Sequence, residues 1–317
     1  RLVATMSAGA HCVKLDPHYS PHHCDGDGAR PYADALAKCA EFAPDIVNSA
    51  LSSQPISLQK GLGRRLEESV LKAMLGPGSP VTERHRAYWR CTLLEGAGAW
   101  LSAVPDPFLG HSIAPRYWQV LVARRLGMPI YPAGGACALC GAQQDAYGDH
   151  AIACPVGGDR VRRHHRVRDT IAALADLAGH SPAVEPPALL PPDFDHPAQA
   201  ASGRRPADVY LPRWWGYMPA CIDAAVTSAL LPSRRAASAV DPTGALRAYA
   251  VGKRAHAGTE DACRRVGMSF LPAVFEADGG VGGDASAILK ALFADAARRS
   301  GTPLSIVAMR GRQRISV

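Results

Sequence analysis

Four side chains in the segment CALCGAQQDAYGDHAIAC have the types and spacing of a metal site. Cys137, Cys140, His150 and Cys154 follow the pattern C-x2-C-x9-H-x3-C. Closely spaced ligand pairs bracketing a short loop reach one tetrahedral ion without straining the backbone, and thiolate with imidazole selects zinc over hard cations. Gly134, Gly135, Gly141 and Gly148 supply the tight turns that such a loop needs. With all four positions filled by protein the site is closed, so a structural zinc ion is expected, and its binding would fold the loop. A redox Cys-x-x-Cys pair would use Cys137 and Cys140 alone and leave His150 and Cys154 unexplained.

A second set is carboxylate. The stretch GRRPADVYLPRWWGYMPACIDAAVTS puts Asp208 at the start of one predicted strand and Asp223 inside the next. Hydrolysis of a phosphodiester needs a nucleophilic water and relief of the charge that builds on phosphorus. Two carboxylates from adjacent strands can hold a magnesium or manganese ion that provides both, and a nearby lysine can orient the water. Asp223 lies between Ile222 and Val226 in an otherwise apolar strand, where a carboxylate is costly unless paired or metal-bound. The plainer alternative is a strand-end aspartate and a buried, paired one.

These groups need elements to position them. From about 60 to 130 the pattern is helical: Leu62, Leu66, Val70, Leu71 and Leu75 form one face, and PRYWQVLVARRLGM follows the turn PDPFLG. Trp118, Leu121 and Leu126 read as core, and Arg116, Arg124 and Arg125 as a solvated face that could line a groove. After the Cys/His segment, DRVRRHHRVRDTIAALADLAG steps its apolar residues Val167, Ile171, Leu174 and Ala178 along one helical face, with Gly179 closing the helix. The first half of that helix carries Arg160, Arg162, Arg163, Arg166 and Arg168 with His164 and His165, a charge density suited to phosphates or simply an exposed basic face. A proline-rich insertion separates it from the strands, which are PAVEP, ADVYLP, ACIDAAVTS and MSFLPAVFEA. The last two bracket a helix around LRAYAVGKRAHAGTEDACRRVG, and the helix DASAILKALFADAARRSG and a basic tail MRGRQRISV follow. The order predicts a mixed α/β domain with a small central sheet.

The totals fit this picture. The 317 residues carry 35 Lys+Arg against 28 Asp+Glu, a net +7 that suggests a polyanionic partner, although arginine over lysine also follows from a GC-rich genome. No apolar stretch is long enough for a membrane span. Nine cysteines, an odd number in a chain of this size, favour a reducing compartment over disulfide staples. Residues 1–60 read as irregular; HCVKLDPHYSPHHC within them matches no familiar zinc spacing and reads as a loop with incidental histidines. The chain begins with Arg1 and is expected to be a fragment or a processed piece.

The motifs, taken in order, carry a resemblance. CALCGAQQDAYGDHAIAC, DRVRRHHRVRD, RRPADVYLP, CIDAAVTS and AVGKRAHAG resemble the C-terminal region of proteins encoded by early-branching, site-specific non-LTR retrotransposons. That region joins a zinc-binding Cys-Cys-His-Cys segment to a restriction-like endonuclease of the PD-(D/E)xK superfamily. The resemblance is clearest from about residue 95 to 280, and GAGAWLSAVPDPFLG with RYWQVLVARRLGMP resembles the helical linker that precedes the zinc segment. It implies an α/β PD-(D/E)xK restriction-like nuclease core, a small mixed sheet flanked by helices, preceded by a helical linker and a zinc-binding segment. The expected organisation is an irregular segment at 1–60, the linker at 61–132, the zinc segment at 133–158 and the nuclease at 159–317.

By resemblance Asp208 and Asp223 are the metal-binding acids, helped by the Ala224 carbonyl. Lys253 is the catalytic lysine carried on the following helix, which accounts for Ala225 at the more usual lysine position. His164, preceded by Arg163, falls on the histidine of an Arg-His-Asn signature, with His165 in place of asparagine. The first acid stands in PAD rather than PD, and the zinc spacing has a longer central loop and a shorter last gap than many relatives. The implied activity is a magnesium- or manganese-dependent DNA endonuclease leaving 5′-phosphate and 3′-hydroxyl ends, in the nucleus, with element RNA as a further partner. Arg160, Arg162, Arg163, His164, Arg166, Arg204 and Arg205 are expected on nucleic acid, Trp214 and Trp215 on bases or as a turn-capping pair, and Glu185 is an accessory candidate. A catalytically inactive nucleic-acid-binding zinc module and a thiol oxidoreductase are the readings of other classes.

Overall fold

The computed structural model describes residues 55–76, 78–106, 108, 112–132, 134–190 and 205–316, together with isolated helical positions at 37, 41 and 44. The histidine-rich stretch His11–Cys24, most of the proline-rich insertion and Arg204 lie outside the described residues. The chain forms two units, 1–81 and 82–317. In the first, helix α1 spans Pro55–Leu75 and so starts ahead of the expected boundary at 61.

The second unit begins with α2 (Glu83–Thr92), whose N-cap Thr82 accepts a bond from the His85 N–H at 3.3 Å, and α3 (Pro115–Arg125), which starts on a proline pre-set for the first turn. A short α4 (Asp149–Ala153) lies inside the zinc segment, and the long α5 (Asp159–Ala178) follows. The four strands are β1 (Ala183–Val184), β2 (Val209–Leu211), β3 (Ala220–Thr227) and β4 (Ser269–Glu276). Between β3 and β4 run α6 (Pro232–Ser238), α7 (Pro242–Ala255) and α8 (Thr259–Arg265), and α9 (Gly283–Ser300) and α10 (Leu304–Ser316) complete the chain.

The sheet order is β1-β2-β3-β4. The first two pairings are antiparallel and β3–β4 is parallel, which is why three helices can cross over between that last pair. The product is a mixed α/β domain with a small mixed sheet flanked by helices. Both faces of β3 are covered. Ile222 and Ala224 face Val167, Ile171 and Leu174 of α5 and Ile288, Leu289 and Leu292 of α9, all buried in one cluster. On the opposite face Ala225 and β4's Val274 meet Leu246 and Ala250 of α7. Each large side chain enclosed this way contributes roughly 1.5–3 kcal/mol. The predicted face of α5 is therefore the observed one, and Gly179 ends the helix at φ 85°.

Three expectations change. The basic tail is a helix: Val307, Ala308, Gly311 and Gln313 of α10 are buried. A Cβ on Gly311 would lie 2.3 Å from the Phe293 ring, so only glycine allows this approach of α10 to α9. Trp118, Leu121 and Leu126, read as core, are exposed, Trp118 resting edge-on against Trp100. Arg124, read as solvated, is 7% exposed, because two carboxylates distant in sequence fold onto it.

Candidate metal centres and the acidic row

The four candidate zinc ligands are assembled by one turn and one short helix. Cys137 N–H donates to the Ala142 carbonyl and Gly141 N–H to the Cys137 carbonyl, both at 2.8 Å, folding the first pair back on itself. Gly148, at φ 80°, starts α4 and aims His150 at that turn. Asp145 braces the arrangement by accepting from the N–H groups of Tyr147, Asp149 and His150. The four ligand atoms lie within 4.8 Å of one another. Cys137 Sγ and Cys154 Sγ are 3.9 Å apart, close to the about 3.8 Å that tetrahedral Zn–S bonds dictate, and Cys140 Sγ is 3.2 Å from His150 Nε2. The N–H groups of Cys140 and Leu139 pull the Cys137 thiol down to about 6, toward the thiolate that binds metal. This Cys3His cluster could hold a zinc ion, with no position left open for substrate.

Asp149, next to the ligand His150, is tied elsewhere. Arg84 of α2 grips it through two bonds of 2.8 and 2.7 Å, and Arg124 of α3 reaches it at 3.2 Å. Arg124 also bonds the Tyr147 carbonyl at 2.9 Å and clasps Asp278, just beyond β4, at 2.6 and 2.8 Å. Helices α2 and α3, the Cys/His segment and the loop after β4 thus share one buried ionic network. Beside it Glu276 is fully enclosed, and burial, reinforced by Asp278, raises its carboxyl to about 8.

The acids converge through register. Val209 pairs with Ile222, so one further step sets Asp208 opposite Asp223. Likewise Val184 pairs with Val209, which sets Glu185 beside Asp208. Glu185, Asp208 and Asp223 form one row across three strands. The Glu185 N–H donates to the Asp208 carbonyl at 2.9 Å, and the Ala224 N–H holds Asp208 Oδ2 at 2.7 Å. Lys253, on α7, places Nζ 3.1 Å from Asp223. Burial raises Asp223 to about 6; the Lys253 ammonium draws it down and the Asp208 carboxylate pushes it up.

No protein-family model, curated protein or solved structure matches this chain.

The other expected residues fall in different places. His164 turns its Nε2 to Asp208 Oδ1 at 3.3 Å instead of facing solvent, and that bond raises its pKa against the opposing effect of burial. His164, Glu185 and Asp208 form a second group with ligand atoms within 4.8 Å of one another. Arg168 is occupied by Asp169 and Glu185. Arg160, Arg162, Arg166 and Arg205 are exposed, and Arg163 is half-buried. Trp214 packs on the core and tilts against His180, leaving Trp215 exposed. From sequence Glu185 is no more than an accessory candidate, since nothing but the strand register reveals its neighbours. The Arg84–Asp149 and Arg124–Asp278 pairs left no local signal.

Proposed function

We propose that this chain is a divalent-metal-dependent DNA endonuclease with a structural zinc loop, built on a PD-(D/E)xK core and similar to the C-terminal region of site-specific non-LTR retrotransposon proteins. The observation that carries the reading is the cross-strand placement of Asp208 opposite Asp223, with the Lys253 ammonium bonded to the latter. Oxygen donors of this kind suit Mg2+ or Mn2+, and a cation would offset both the burial that raises Asp223 and the lesser push from Asp208. When bound, such an ion supplies Lewis acidity and lowers the pKa of a coordinated water.

The protein's own groups do the rest. The Ala224 N–H and His164 fix the two oxygens of Asp208, and Asp208 and Asp223 would be the ligands. Lys253 offsets charge at Asp223 and stands where it can orient a water and meet the growing charge on phosphorus. The exposed arginines of α5 track phosphates. The products are a 5′-phosphate and a 3′-hydroxyl, and by the same resemblance the setting is nuclear, with element RNA a further partner. Nicking of supercoiled plasmid in Mg2+ or Mn2+ tests the proposal. Nicking that Asp208→Ala removes while DNA binding persists supports it; DNA binding by the unaltered chain without any cleavage selects the inactive zinc module instead.

A further inference from the structure

Beyond the acids, at the far end of β3, a cavity of about 150 Å3 is lined by Arg160 and Arg163 of α5, Thr227 and Ser228 at the end of β3, and Arg234 of α6. No acidic side chain lines it. Among the described residues none of the three arginines has a carboxylate within ion-pair distance, although Arg84, Arg124, Arg162, Arg168, Arg247, Arg254, Arg264, Arg298 and Arg312 all do. Arg163 is anchored by a bond from its guanidinium to the Ile152 carbonyl, yet its Nε is buried with no partner. Arg234 is steadied by Thr227 Oγ1 and lies over the Tyr249 ring at 5.3 Å. Three positive charges and two hydroxyls around one small cavity are the donor set for a tetrahedral oxyanion.

We propose that this cavity is a phosphate-binding pocket that seats a backbone phosphate of the nucleic acid away from the bond being cut, a role that rests on the nuclease reading for its ligand. Its placement suits that role. Arg234 and Tyr249 also line a neighbouring cleft of about 620 Å3 that extends along α7 to Lys253 and His256. Gly244, Ala245, Ala248 and Gly252 keep the α7 wall low, so that a sugar–phosphate chain can lie close to the helix. From Asp223 to Thr227 the strand advances about 13 Å, the reach of a few nucleotides. A strand held in the pocket would thus run along α7 and present a second phosphate to the acids.

The test is binding of a fluorescein-labelled single-stranded oligonucleotide by anisotropy, without divalent metal, to the full chain and to Arg160→Gln/Arg234→Gln. The double variant is expected to bind about tenfold more weakly, and its log Kd against log[salt] slope to fall by about one. The control Arg247→Gln/Arg264→Gln, which removes two exposed arginines that pair with aspartates, should change Kd less than twofold. Equal losses for 5′-hydroxyl and 5′-phosphate oligonucleotides identify an internal diester. A preference for the 5′-phosphate that vanishes in the double variant places a terminal phosphate in the same pocket. Affinity and slope unchanged in the double variant, or lost equally in the control, overturn the pocket. Circular dichroism melts of both variants within a few degrees of the parent establish that folding is intact. Nicking with unaltered affinity in the double variant rejects the pocket and leaves the nuclease standing; pocket-dependent binding without nicking does the reverse.

Discussion

Replacing Arg124 by methionine should be among the most damaging single changes in the second unit. Arg124 is 7% exposed and satisfies three groups at once: both Asp278 oxygens, Asp149 Oδ1 and the Tyr147 carbonyl. Methionine fills much of the volume but, among the described residues, leaves Asp278 enclosed with no cation in ion-pair contact and Asp149 with Arg84 alone. Breaking one side of a buried ion pair costs about 3–5 kcal/mol, because the surviving charge stays desolvated. For a domain of this size that corresponds to a fall in Tm of about 6–20 °C. Thermal and urea unfolding followed by circular dichroism read it directly. Adding Asp278→Asn to Arg124→Met should recover part of the loss, since the stranded charge disappears with it. A loss under about 1 kcal/mol, the size expected of an exposed pair such as Arg264–Asp261, would refute the view that this network holds α2, α3, the Cys/His segment and the end of β4 together.

Other outcomes follow from the same geometry. Lys253→Ala should slow metal-dependent nicking roughly 10²–10⁴-fold while leaving oligonucleotide affinity within a few-fold, measured by single-turnover cleavage and anisotropy. Elemental analysis should find one zinc equivalent in the parent protein, Cys140→Ser should lose it and lower the Tm, and chelation of the parent should have the same effect. Glu276 has its folded pKa raised from the ordinary 4.5 to about 8, so its contribution is fully present below pH 4.5 and is lost as pH climbs through 8. Denaturant midpoints should accordingly decline across that window, and Glu276→Gln should flatten the decline; a parent protein whose midpoint rises over the same range would contradict the assignment.

Much of this was legible in the chain because it is local. The four strands, the apolar face of α5, its closing glycine and the Cys/His spacing all lie within short windows, where periodicity and turn chemistry act. What stayed hidden depends on distant partners. Arg124 beside Arg125 reads as solvent-facing, and nothing near it announces Asp149 or Asp278. Helix α10 reads as a tail because its arginines and Gly311 mask the apolar period that packs on Phe293. Glu185 needs the pairing of β1 with β2 before it can be placed next to Asp208. Trp118 and Leu121 have core chemistry, yet α3 turns its arginine inward instead.

Asp149 and the candidate ligand His150 are consecutive in the chain, and the first is clasped by helices upstream while the second belongs to the Cys/His cluster. Sequence-level boundaries at 133 and 158 are therefore poor places to splice. A chimaera that imports the Cys/His loop from another chain without matching Arg84, Arg124 and Asp278 would carry its metal and still sit loosely on its neighbours. The clasp alone reaches from Arg84 to Asp278, so any exchange that keeps its ionic partners matched has to carry at least that stretch of chain.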